Sequence, residues 1–115
     1  MCGAVRFRAH GDPAYTVVCH CTFCQRATGS AFAVWPTFSD ADVKLTGMLK
    51  TYEHRSDESA RWIRLHFCPR CGTTVSSTFD DTRWINVERH VWTRSKQHWV
   101  PLPSGVPAFE KSSGR

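Results

Sequence analysis

The sequence predicts a mainly β fold of short antiparallel strands. Three observations point that way: segments alternating polar and apolar residues with period two, clusters of β-branched and aromatic residues, and Gly, Pro, Ser or Asp between them. Gly3 to Arg8 opens the chain, with Ala4, Arg6 and Arg8 on one side and Val5 and Phe7 on the other. Tyr15 to Val18 and Ala31 to Trp35 follow, then Val43 to Thr46 and Leu49 to His54. In the next segment Arg61, Ile63, Leu65 and Phe67 alternate with Trp62, Arg64 and His66. Val75 to Phe79 and Trp84 to Glu88 complete the set, and so many strands in 115 residues require tight antiparallel connections.

Two places read as locally helical: the turn after Cys21 through Arg26, and one turn at Ser39 to Asp42 with Ser39 as the cap. No repeat or linker divides the chain, so residues 1–100 read as one domain with one modest core. The tail from Pro101 to Arg115 contains three prolines and ends in Lys-Ser-Ser-Gly-Arg, which predicts an extended arm fraying toward its end.

Hydrophobic residues make up 41% of the chain and charged residues 22%, values that suggest neither wholesale disorder nor a membrane span. Met1 to His10 carries Arg6 and Arg8 and lacks the apolar stretch of a signal peptide, which places the protein in the cytoplasm. A reducing compartment turns clustered cysteines toward metal or catalysis rather than disulfides. The formal charge of +5 raises nucleic acid as a partner. Six ligating thiolates and two dications would lower it to about +3, and the basic residues are scattered, so neither a nucleic-acid nor a membrane partner is expected.

Cys19, Cys21 and Cys24 form C-x-C-x-x-C. Residues two apart in an extended segment point to the same side, and the x-x turn returns Cys24 to that point, so three sulfurs surround one ion. The other readings are a redox pair of Cys21 with Cys24, or small buried apolar residues. Cys68-Pro69-Arg70-Cys71-Gly72 reads as a zinc knuckle, with Gly72 leaving at positive φ. Cys2 is the remaining cysteine and is assigned to the knuckle, where it ties the first strand to the turn as a structural staple. Three cysteines per site leave each one ligand short of a closed zinc site. At Cys19, Cys21 and Cys24 the vacancy reads as functional, as in catalytic zinc.

Four blocks, Cys2 to Phe7 (CGAVRF), Cys19 to Phe32 (CHCTFCQRATGSAF), Gly47 and Phe67 to Thr73 (FCPRCGT), in this order and spacing, resemble the glutathione-dependent formaldehyde-activating enzyme family, which shares its domain with centromere protein V. The likeness extends to about Trp99, after Lys96. It implies a zinc-bearing β-tent with up to two ions, structural zinc on Cys2, Cys68 and Cys71, and catalytic zinc on Cys19, Cys21 and Cys24. It also implies carbon-sulfur lyase chemistry joining formaldehyde or a similar small electrophile to glutathione. The family opens with C-x-C, and Met1 stands at the middle position. The structural site is thus expected to lack one thiolate, to be completed by a cysteine ahead of Met1, by water or by a histidine, and to give a less stable protein.

On this reading a thiol substrate occupies the open position of the catalytic zinc and is held there as thiolate. Glutathione carries two carboxylates, and Arg26 is the first candidate to bind it, with Lys96 second. His20, between two ligands, projects to the opposite strand face and is expected to be packed or hydrogen-bonded. His66 is the best histidine to complete the structural site, while His10, His54, His90 and His98 carry no motif. Trp35, Trp62, Trp84, Trp92 and Trp99 could line a pocket, but large aromatics in a small domain usually form its core, where they are expected. A non-enzymatic thiol carrier and, behind it, a nucleic-acid-binding zinc ribbon are the other functional readings.

Overall fold

The computed structural model describes residues 1–75 and 78–114. The mainly β expectation holds: seven strands lie among the described residues, in three small sheets. Contacts divide the chain into two units, Met1–Asp12 with Phe38–Asp80, and Pro13–Thr37 with Asp81–Arg115.

The first unit holds two hairpin-like pairs. β1 (Arg6–Ala9) runs antiparallel to β4 (Val43–Thr46), with Phe7 opposite Leu45. Gly47 closes this pair at φ 98°, and a Cβ there would overlap the Ala4 carbonyl oxygen, so only glycine lets the two backbones approach. β5 (Lys50–Arg55) pairs antiparallel with β6 (Trp62–Phe67). The alternation read from the sequence is seen here: Ile63, Leu65 and Phe67 are half-buried, and Trp62, Arg64 and His66 are exposed. Phe79 packs edge-on to Phe7, ring centres 5.1 Å apart, and tilts against Phe38. Among the described residues, the buried apolar residue of this unit is Cys68. A 3-10 turn forms at Asp40–Asp42 as expected, but the Ser39 side chain makes no capping bond.

In the second unit β2 (Tyr15–Cys19) lies between β3 (Ala33–Thr37) and β7 (Arg89–Val91). Flanked on both sides, β2 buries Thr16, Val18 and Cys19, while edge strand β3 accommodates Pro36, which has no N–H to donate. The β2–β7 pair is parallel, a departure from the all-antiparallel expectation. The strand expected at Trp84 to Glu88 is displaced to β7. Residues 81–85 turn instead, with Arg83 clasping the Asp81 carboxylate at 2.8 Å and the Trp84 indole donating to the Asp81 carbonyl at 2.6 Å. The strand expected at Val75 to Phe79 falls partly outside the described residues.

Helix α1 (Thr22–Thr28) follows β2, capped by Cys21 at one end and left-handed Gly29 at the other. A second 3-10 turn spans Thr93–Ser95. The arm after Pro101 is bonded to β7: Ala108 bridges His90 in parallel, Phe109 N–H donates to His90 O at 2.9 Å, and Trp92 N–H to Lys111 O at 3.1 Å. Among the described residues no helix is long and apolar enough to cross a membrane.

Candidate metal centres

The first centre belongs to the second unit. Cys19 ends β2, Cys21 caps α1 and Cys24 sits in the first turn of that helix, so one strand-to-helix connection supplies all three sulfurs. The sulfurs lie within 4.8 Å of one another. This places them as the C-x-C-x-x-C spacing predicts. Helix geometry brings the Cys24 N–H to the Cys21 sulfur at 3.3 Å, and the Trp35 indole donates to the Cys24 sulfur at 3.4 Å. Cys19 and Cys24 form the unit's apolar cluster with Ala33 and Val91, against which Val17, Phe23, Trp35 and Trp92 pack.

The three thiols titrate as one system. Hydrogen bonds from Cys19 and then Cys24, with the Cys24 and Phe23 amides, hold Cys21 down to about 2. Cys19 is pushed up to about 11, first by its bond to Cys21, and Cys24 is pushed up strongly, first by Cys19 and then by Cys21. The three shift against one another, Cys21 down and Cys19 and Cys24 up, and a divalent cation would favour the ionised form of all three. The donor set therefore fits a thiophilic metal such as zinc. Three protein ligands leave one of its four positions for another group.

His20 does not enter this centre. Its ring is fully buried and its Nε2 lies 2.9 Å from His90 Nδ1, the two rings stacked and Phe32 edge-on to His20. Burial lowers the pKa of both histidines, and for His20 the nearby His90 and Lys96 add to the shift. The His20 carbonyl, between two ligand cysteines, accepts from Gln25 Nε2 at 2.8 Å and from the Ser95 hydroxyl at 3.1 Å. Gln25 Nε2 also donates to Ser95 O at 2.9 Å, Gln97 donates to Gln25 Oε1 at 3.2 Å, and the Trp99 indole donates to Gln97 Oε1 at 2.7 Å. This chain of amides fixes the backbone that carries Cys19 and Cys21. Sequence reasoning missed Gln25, His90, Ser95 and Gln97, because their partners lie up to seventy-five positions away.

The second centre belongs to the first unit. Cys68 is 3% exposed, Cys71 half-buried and Cys2 exposed, and their sulfurs also lie within 4.8 Å of one another. The knuckle is built as expected: Gly72 N–H donates to Cys68 O at 2.8 Å, Cys68 N–H to Thr73 O at 3.0 Å, and Gly72 leaves at φ 75°. The Cys71 sulfur is 3.2 Å from the Thr73 hydroxyl. That hydroxyl, then the Thr73 and Cys2 amides, bring Cys71 down to about 6. The Cys2 and Cys68 sulfurs are 3.6 Å apart, close to the S–S edge of about 3.8 Å that tetrahedral zinc with bonds of about 2.3 Å requires. His66 is not in this group: its Nδ1 meets the Thr51 hydroxyl at 3.0 Å on the exposed face of the β5–β6 pair.

Arg26 is exposed on α1 and lines a groove of about 620 Å³ with Thr22, Gln25, Gly29, Ser30, Ala31, Gln97 and Trp99. The Lys96 ammonium donates to Gln97 O at 3.1 Å and Val100 O at 2.7 Å, which leaves one of its three donors. The expectation of five core tryptophans is corrected as well. Trp35 and Trp92 pack on the cysteine cluster, whereas Trp62, Trp84 and Trp99 are exposed.

A sequence model of the family described as glutathione-dependent formaldehyde-activating enzyme matches residues 1–99. No curated protein matches the chain.

Proposed function

The chain belongs to the glutathione-dependent formaldehyde-activating enzyme family, and from that premise we propose that it is a zinc-dependent carbon-sulfur lyase that joins formaldehyde, or a similar small electrophile, to glutathione. The observation that supports this best is the buried trio Cys19, Cys21 and Cys24, three converging sulfurs and no fourth protein ligand among the described residues. Cys2, Cys68 and Cys71 take the structural role. Zinc held by the trio would supply a cationic field that lowers the pKa of a bound thiol and favours the thiolate.

The chain's own residues do the rest. Cys19, Cys21 and Cys24 would hold the ion, and the Trp35 N–H, which donates to the Cys24 sulfur, would share its charge. Gln25 and Ser95 pin the His20 carbonyl, so the spacing of the flanking sulfurs is set before substrate arrives. Phe23, Trp35 and Trp92 pack against the cluster as an apolar wall. In the addition one carbon-sulfur bond forms, the thiol proton ends on the former carbonyl oxygen, and no oxidant or reductant is consumed. Arg26 is the cation offered to a glutathione carboxylate. The setting is cytoplasmic, where six free thiols keep their reduced state.

The test is the rate of S-hydroxymethylglutathione formation followed by NMR with zinc-loaded protein. Acceleration over the spontaneous reaction, lost in Cys24→Ser that still binds at the other centre, is the expected result. A folded, zinc-loaded protein that binds glutathione but leaves the rate at its spontaneous value would make this a carrier and not an enzyme.

A further inference from the structure

Among the described residues, Ala60 and Trp92 are the non-glycine residues at positive φ. Ala60 is exposed in the connection between β5 and β6. Trp92 is placed differently: it follows β7 directly, lies in the left-handed region at φ 57° and ψ 36°, and packs on the Cys19 and Cys24 cluster. A bulky side chain disfavours that conformation, which persists only where the surroundings over-determine it. Here the bonds come from two sides. Toward the first centre, Ser95 N–H donates to Trp92 O at 3.2 Å, and the Ser95 hydroxyl lies 3.1 Å from both Trp92 O and His20 O. Away from it, Trp92 N–H donates to Lys111 O at 3.1 Å, Arg94 N–H to Glu110 O at 3.4 Å, and the Thr93 N–H and hydroxyl to Phe109 O at 3.1 and 3.0 Å. His90 extends this pairing, giving its N–H to Pro107 O at 2.8 Å and accepting from Phe109 N–H at 2.9 Å. The same stretch reaches the sulfurs, since Val91 stands opposite Cys19 and its carbonyl accepts the His20 N–H at 3.0 Å. The residue between Cys19 and Cys21 is therefore gripped at its N–H by β7 and at its carbonyl by the turn after Trp92.

We infer that the arm from Pro107 to Lys111 is a positioning element for the first centre: it holds Trp92 in the left-handed corner, so that Ser95 meets the His20 carbonyl and the spacing of Cys19 and Cys21 is fixed. Thr93 and Phe109 are the positioning residues, acting through Trp92 and Ser95 and touching neither metal nor substrate. Once the arm lets go, the corner relaxes toward an ordinary conformation and carries Ser95 away from His20. The family-matched stretch ends at residue 99, so this brace is an addition to the matched domain. The inference rests on the metal proposed above for Cys19, Cys21 and Cys24, and not on the reaction that follows.

The experiment is chelator competition on the cobalt-loaded full chain, read by visible absorption, with Cys24→Ser identifying the signal of the second centre. Phe109→Pro removes the N–H given to His90, and little packing goes with it because the side chain is 39% exposed. Thr93→Val removes only the hydroxyl bond to Phe109 O, and Thr93→Ser keeps it. Phe109→Pro should weaken cobalt at the first centre about tenfold and Thr93→Val about threefold, with Thr93→Ser near the unaltered value and the second centre unchanged. In a Ser95→Ala background, where the link is already cut, Phe109→Pro should add less than about twofold. Equal first-centre affinity in Phe109→Pro and Thr93→Val, or losses that simply add in the double variant, overturns the inference and leaves the proposed function standing. An unaltered chain that takes up cobalt at the second centre alone removes both.

Discussion

The two cysteine trios have the same number of ligands and opposite relations to the chain that carries them. Cys19, Cys21 and Cys24 come from a single connection, β2 to α1, and sit inside an apolar cluster with Ala33 and Val91. Cys2 and Cys68 are sixty-six positions apart, and among the described residues of their unit Cys68 is the buried apolar one. The first trio is embedded in a core that it helps to form, Cys19 and Cys24 packing with Ala33 and Val91. The second closes a long loop in a unit whose other packing is half-buried, Phe7, Phe38 and Phe79 together with Ile63, Leu65 and Phe67, and small units of this kind depend on a metal or cross-link. One set of sulfurs is thus positioned by the fold, and the other does the positioning.

The sharpest way to break this contrast is to compare single ligand losses. Cys68→Ser should cost about 3 kcal/mol or more, on the scale of a lost cross-link, and lower Tm by on the order of 10 °C or more. Cys24→Ser should abolish the catalysed rate while lowering Tm by only a few degrees. Equal Tm losses in calorimetry, with both sites metal-loaded, would erase the distinction. Chelation should likewise unfold the first unit before the second, as read by hydrogen exchange at β5 and β7.

Gly47→Ala tests how little slack the first unit has. With φ at 98° and the Ala4 carbonyl in the way, the substitution should cost about 2 kcal/mol in urea unfolding. Trp35→Phe, which removes the N–H donor to the Cys24 sulfur and keeps the ring, should weaken zinc at the first centre about tenfold by competition with a chelator. The second centre should not respond.

The smallest effect is on pH. Burial lowers the pKa of His20 and His90 below the ordinary 6.5. The unfolded chain therefore binds protons that the folded one refuses, so the stability from the neutral pair is present above 6.5 and is lost as pH falls through the lower folded values. His90→Asn should flatten the acid limb of a Tm-against-pH curve.

The first trio and the Cys68–Cys71 knuckle could be read from the sequence because their signal is local. Residues two and three apart on a strand-and-turn path must converge, whatever the rest of the chain does. Cys2 was assigned by elimination alone, and its sulfur does meet Cys68. What could not be read lies across long separations. His90, without a motif of its own, meets His20 across seventy positions. Gln97 on Gln25 depends on how the chain returns after β7. The segment from Trp84 to Glu88 has strand-forming residues, but Asp81 captures Arg83 and Trp84 in a turn, and pairing starts only at Arg89. Propensity gave way there to two side-chain bonds.

The bonds that Pro107 and Phe109 share with β7 govern how this protein can be handled. β7 is the outermost strand of its sheet, and residues beyond the family-matched stretch, which ends at 99, occupy its free side. A chain shortened to that stretch would offer unpaired amides to any neighbouring molecule, an invitation to edge-to-edge association. Trimming the protein to its recognisable family region should therefore produce a sticky sheet rather than a minimal enzyme.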